Sequence, residues 1–213
     1  VWAGKYREAG AMLDSNPSLL EQNGEARYLN GYVKEKLGDY EAAVHSYASA
    51  LQLVPNHRNS MTFLAGLYSR NGYYEEAEKI YRRALESYRD DPQLHCNLGI
   101  LLASTGREQE AGAAFNRAHK LEPSNAMVLN NLGLLAFRGK QPDRALEYFQ
   151  QSLTVAPGNP QALNFSGLCF MMKQDLPSAE QSLLKAVEAA PEDASVRTNL
   201  GNLYRRAGKI APA

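Results

Sequence analysis

Cysteine and tryptophan are scarce in this chain: its 213 residues include only Cys96, Cys169 and one tryptophan. The cysteines fall two structural periods apart. With helices spaced roughly 8–10 Å, that separation is beyond disulfide reach. The fold therefore needs no disulfide, which favours a reducing compartment such as the cytoplasm. The four histidines, His45, His57, His95 and His119, show no metal-ligand spacing with either cysteine, so neither metal nor cofactor is expected. No apolar run approaches the ~18 residues that cross a bilayer. Residues 1–5 lack the basic-then-apolar order of a secretory signal. Charge of one sign is also lacking, with 23 Lys plus Arg against 23 Asp plus Glu. A neutral chain has no global field for nucleic acid or an anionic membrane, so neither is an expected partner. The chain does not open on methionine and reads as a segment of something longer.

Catalytic signatures are missing too. The glycines are spread singly rather than clustered into a phosphate-cradling loop. Ser166-Gly167 has no strand–turn–helix setting for a nucleophile elbow. The carboxylate pairs Glu75-Glu76 and Asp90-Asp91 fall at helix starts and connections, where negative charge favours a helix N-terminus. No enzyme is expected from these residues.

What the chain does have is a period. Alanine recurs every 34 residues, at Ala9, Ala43, Ala77, Ala111, Ala145, Ala179 and Ala213. A second small place keeps step at Gly31, Ala65, Gly99, Gly133, Gly167 and Gly201. A large apolar place does so at Leu13, Tyr47, Tyr81, Phe115, Phe149 and Leu183, and a third small one at Ala50, Ala84, Ala118, Ser152 and Ala186. Pro55, Pro123, Pro157 and Pro191 close four of the units.

Each unit reads as a helical hairpin. In Leu98-Gly99-Ile100-Leu101-Leu102, apolar residues return at steps of three and four, the helical spacing. Gly38, Gly72, Gly106 and Gly208 then supply a break suited to a helix C-terminus or tight turn. A second helix follows, with Ala111, Phe115 and Ala118 on one face. The small places let helices approach closely, and the aromatic fills the space beside them. Proline stops the second helix or opens the next connection. One hairpin has too little core to stand alone, so neighbours must stack.

This period and its small, small, aromatic, small, proline order resemble the tetratricopeptide repeat family over nearly the whole chain. The resemblance implies an all-α fold, a right-handed superhelical solenoid of antiparallel helix pairs forming one array over 1–213. Full repeats are expected at 24–57, 58–91, 92–125, 126–159 and 160–193, with partial repeats at 1–23 and 194–213. A second helix is expected near Lys5–Ser15 and a first helix near Ala194–Ala207, with Lys209, Ile210 and Ala213 opening another second helix. Four departures stand out. Arg27, Asn30 and Lys34 occupy places where the family has large apolar residues, while Leu29 and Val33 offer an alternative stripe. Asn16 is a candidate cap for a longer helix entering the first full repeat. Arg89 replaces the proline of the second repeat, with Pro92 following late, and Gly139 arrives one place early.

In this family the first helices line a concave groove. The resemblance puts Met127, Asn130, Leu134, Phe137 and Arg138 there in the fourth repeat, and Gln161, Asn164, Leu168, Met171 and Met172 in the fifth. Ser195, Thr198, Asn202, Arg205 and Arg206 follow in the last half-repeat. A methionine-rich concave surface suits adaptable apolar ligands, so the expected partner is a protein or peptide. It would dock as an amphipathic helix or extended apolar segment, with Asn130 and Asn164 bonding its backbone. The alternative is that these residues close the groove or pack on another domain. Asn97, Asn131 and Asn199 share one place beside the groove, where related arrays use an asparagine ladder on peptide backbones. The other reading is a hydrogen bond to a neighbouring helix. Lys36, Arg70, Arg138 and Arg206 share another place; they either steer an acidic partner or complement helix C-termini. Cys96 is expected in the groove and Cys169 in the core.

The cation–asparagine pattern of co-chaperones that grip Hsp70 or Hsp90 C-terminal tails has no match in any three repeats, so such a tail is not the expected ligand. The leading expectation is a non-catalytic protein–protein interaction scaffold within a larger protein. The alternatives are a targeting arm of a larger enzyme, such as a glycosyltransferase, or an envelope assembly factor for pili or polysaccharide export.

Overall fold

A computed structural model describes residues 2–208, and among these every regular element is an α-helix. The expected helix opening at Lys209, Ile210 and Ala213 lies outside the described residues. The chain forms two compact units, Val1–Arg107 and Glu108–Ala213.

The first unit holds α1 (Trp2–Asp14), α2 (Pro17–Gln22), α3 (Gly24–Lys36), α4 (Tyr40–Leu53), α5 (Arg58–Arg70), α6 (Tyr74–Ser87) and α7 (Pro92–Ser104). The second holds α8 (Glu108–Leu121), α9 (Ala126–Arg138), α10 (Pro142–Val155), α11 (Pro160–Met172), α12 (Leu176–Ala189) and α13 (Ala194–Arg206). Within each unit the periodic residues do as their spacing predicts. Ala43, Tyr47 and Ala50 of α4 are fully buried, as are Ala145, Phe149 and Ser152 of α10 and Ala179, Leu183 and Ala186 of α12. The small first-helix place is small because the next helix sits on it. A Cβ at Gly133 would lie 2.5 Å from Phe149 Cε1, and one at Gly167 would lie 2.6 Å from Leu183 Cγ.

Each first helix opens on a capping residue, and these caps keep the same period at Asn23, His57, Asp91, Asn125, Asn159 and Asp193. Their side chains accept from N–H groups of the first turn, for example Ala26 N to Asn23 Oδ1 at 3.0 Å and Leu94 N to Asp91 Oδ1 at 3.0 Å. Such a bond satisfies one of the donors a helix start leaves open. Pro92 is accordingly no displaced stop. It is the first residue of α7, where proline's missing N–H costs nothing.

The hairpin turns are left-handed at one periodic place: Gly38, Gly72, Gly106 and Gly208 have φ of +85°, +83°, +78° and +68°. Lys140 (+55°) and Gln174 (+64°) take the same conformation without glycine's freedom. Gly139, early by one residue, is the C-cap of α9 with an ordinary φ of −72°.

Around the first full repeat the structure differs from expectation. Asn16 makes no side-chain cap; its amide donates back to the Met12 carbonyl at 2.8 Å. The chain instead runs through the short α2 and starts α3 on Asn23. The family register holds there, with polar residues in the apolar places. Asn30 is buried, donating to Asp14 Oδ1 at 3.0 Å and accepting from Ser46 Oγ at 3.0 Å. Lys34 pairs with Asp14 at 2.6 Å, and Arg27 Nε donates to the Leu20 carbonyl at 2.7 Å. Of the alternative stripe, Val33 is buried and Leu29 is exposed.

Candidate interaction surface

In the first unit, α1, α3 and α5 share an aromatic cluster. Tyr28 and Tyr32 of α3 meet Phe63 of α5 with ring centroids 5.6 Å away in each case, and Tyr6 of α1 meets Tyr32 edge-on at 6.3 Å. The polar groups around it are engaged internally. Glu35 accepts from Tyr47 Oη at 2.9 Å and pairs with Arg70 at 2.6 Å, while Lys36 Nζ sits 5.0 Å above the Tyr32 ring. Burial and the Glu35 contact push the Tyr47 hydroxyl far above the ordinary tyrosine range.

One constellation there has the order of a nucleophile triad. His57 Nδ1 accepts from Ser60 N at 3.2 Å and stands 2.7 Å from Ser60 Oγ, while Nε2 meets Glu25 Oε2 at 2.8 Å. Ser60, however, is fully buried, so no substrate can reach its hydroxyl. The line is the cap of α5. Cys96, expected in the groove, is also fully buried. Asn97 is half-buried on α7 in this unit.

The second unit presents a different face. Phe137 of α9, Leu168, Met171 and Met172 of α11, and Asn199, Asn202, Arg205 and Arg206 of α13 line one cavity of about 540 Å³. Met171, Met172 and Arg206 also line a neighbouring cavity with Gln174 and Leu176, of about 640 Å³. The floor is built from the core outward. Phe165 stacks on buried Phe149 at 6.1 Å and meets Phe137 edge-on at 5.3 Å, while Leu168 packs against buried Leu183 and Leu203. Met172 is 43% exposed and Met171 only 7% exposed. Arg205 donates to Asn202 Oδ1 at 2.5 Å.

The other expected residues fall elsewhere. Met127 is 45% exposed at the start of α9, but lines neither cavity. Leu134 is half-buried against the Phe149 core, and exposed Arg138 lies 3.9 Å from Glu108. Asn130 and Asn164, expected to bond a ligand backbone, are only 3% and 7% exposed. Asn164 Oδ1 is taken by Asn199 Nδ2 at 2.9 Å, and Asn130 Oδ1 has no partner. Asn131 Nδ2 donates within its own helix to the Met127 carbonyl at 2.8 Å. Two ladder asparagines are thus tied internally. The sequence places Asn202, Arg205 and Arg206 on this face but gives no sign that they share a cavity with Phe137; that follows from the stacking of α9, α11 and α13.

Cys169 is buried beneath this face, and desolvation raises its thiol to about 11. That makes it an inert core residue, as expected.

Paired antiparallel helices repeated at a fixed period define the all-α helical-repeat, or solenoid, class. Tetratricopeptide repeat models match residues 35–99, 92–158 and 130–194. The chain belongs to the tetratricopeptide repeat family, a family of protein-interaction scaffolds. Solved structures share the fold. A chain of the APC/C hetero-tetramer Cut9–Hcn1 superposes with a TM-score of 0.83 at 15% identity, over 96% of this chain and 41% of that one. The chain thus spans well under half of that relative. PilF of Pseudomonas aeruginosa gives 0.79 at 23% identity, over 87% of this chain and 84% of its own. YrrB, described as a TPR protein with an unusual peptide-binding site, gives 0.65 at 19% identity, over 87% and 96%. No curated protein matches. Among the described residues no helix is long and apolar enough to cross a membrane.

Proposed function

We propose that this chain is a non-catalytic interaction scaffold, holding a peptide or helix of a partner protein on the α9–α11–α13 face of its second unit. The observation that carries the reading is the cavity where Phe137, Leu168, Met171 and Met172 meet the polar side chains of α13. Exposed apolar surface in a concave setting is the usual mark of a binding site. Methionine side chains adapt to differently shaped apolar groups. As a fold, the tetratricopeptide array is one on which a peptide site is known in YrrB.

The test is affinity capture with this chain and with its Met172→Asp variant. Met172 is the residue to change because it is exposed, whereas Met171 and Asn164 are buried and their loss would disturb the fold. The expected result is loss of the captured partner with helicity and melting temperature unchanged. Equal capture by both proteins would overturn the proposal.

A further inference from the structure

Resting on that reading, we infer that the occupant of the face is an acidic–apolar segment of a partner. One large apolar side chain enters the cavity of Phe137, Leu168, Met171 and Met172, and a carboxylate lies against Arg205 and Arg206.

Charge asymmetry is what selects this occupant. Lys plus Arg equal Asp plus Glu over the whole chain, so a one-signed cavity does not follow from composition. Yet among the described residues Arg205 and Arg206 are the charged ones lining the two adjoining cavities, and no carboxylate is among them. Two other cavities of the same unit carry both signs: one has Glu108 with Arg144, the other Asp143 and Glu147 with Lys173 and Lys185. Cations in a last helical turn also complement the helix dipole, as these do in α13. The dipole alone does not explain why Arg206 lines both depressions together with Met171 and Met172.

The chemistry fits a carboxylate rather than another acceptor. Guanidinium presents paired N–H donors that match a carboxylate's two oxygens, and such charge-assisted bonds are about twice as strong as neutral ones. Asn199 and Asn202 add amide groups along the same wall. Arg205 and Arg206 are exposed at the rim of the apolar floor, so the pairing is open to screening by salt. A lysine-rich apolar peptide would meet the two arginines with like charge and be rejected.

The test uses this chain and a displayed library of random dodecapeptides, followed by fluorescence anisotropy with selected peptides. Enriched sequences are expected to carry Asp or Glu close to Leu, Ile, Phe or Met. Exchanging those acids for Gln, or making R205Q/R206Q, is expected to weaken binding about tenfold, with a clear loss in high salt. Enrichment without acidic residues, or affinity unmoved by R205Q/R206Q, would overturn this inference while leaving the apolar docking site standing. Selected peptides that bind Met172→Asp as well as the parent chain would remove the docking site itself, and this inference with it. A selection that yields no binding peptide counts against both.

Discussion

Asn199 of α13 donates its side-chain N–H to Asn164 Oδ1 of α11 across 2.9 Å, joining residues 35 positions apart. The same relation one period earlier would join residue 165 to Asn130. Residue 165 is phenylalanine, and Asn130 Oδ1 is left buried without a partner. The ladder place is therefore partly a helix-to-helix tie, and Phe165 exchanges that tie for stacking on Phe149.

Two asparagines at equivalent places should therefore respond oppositely. Asn164→Leu removes the acceptor of Asn199 and is expected to cost about 1–2 kcal/mol. Asn130→Leu removes an unsatisfied acceptor and is expected to be neutral or mildly stabilising, since an apolar group of similar shape then fills the site. Urea midpoints of the two variants, compared with the parent, check the order.

The turn residues make a second test. Lys140→Gly and Gln174→Gly relieve side chains held at φ of +55° and +64°. Each is expected to raise stability by up to about 1 kcal/mol, because glycine adopts this region without a Cβ clash. Gly72→Ala, at φ +83°, is expected to lower it by about the same amount. Denaturant midpoints read all three.

Glycine at the small first-helix place of α9 is required by the helix packed on it. Gly133→Ala drives a Cβ into the Phe149 ring, and overpacking of this kind costs about 1–3 kcal/mol. Helicity and melting temperature should therefore fall.

Acid should weaken the first unit. Burial raises the Asp91 carboxyl, but Arg58 and the Leu94 N–H outweigh it and hold it below the usual carboxylate range. The Lys34 contact lowers Asp14, and the Arg107 and Arg82 contacts lower Glu78, in each case against a smaller opposing effect of burial. A carboxylate with a depressed folded pKa contributes stability above its unfolded value of about 4. That contribution is lost as pH falls through the folded value. Melting temperature should be flat from neutral pH to about 5 and fall steeply below about 4. Asp91→Asn should melt lower at neutral pH and show a shallower acid fall.

Repeat length, core places and helix pairing were legible because burial imposes the same residue size at every turn of the period. Ala145, Phe149 and Gly133 could be read without coordinates. The caps at Asn23, His57, Asp91, Asn125, Asn159 and Asp193 were equally legible in their spacing but varied in residue type, so a search for one recurring amino acid passes over them. Exposure within the face was harder to read. Met171 and Met172 are neighbours in sequence, yet one belongs to the buried cluster of Leu183 and Leu203 while the other meets solvent. Asn130 and Asn164 occupy groove places but are covered by the helices beside them. A hydrophobic pattern gives the face of a helix, not how deeply a neighbour covers it.

The five methionines allow the central claim to be measured without disturbing the fold. With 13C-methyl methionine, the methyl resonances of the whole chain are followed as a selected acidic–apolar peptide is added. Met171 and Met172 are expected to shift and saturate together, while Met12 on α1 and fully buried Met61 on α5 stay in place. Saturating binding that leaves Met171 and Met172 unmoved would contradict docking on the α9–α11–α13 face.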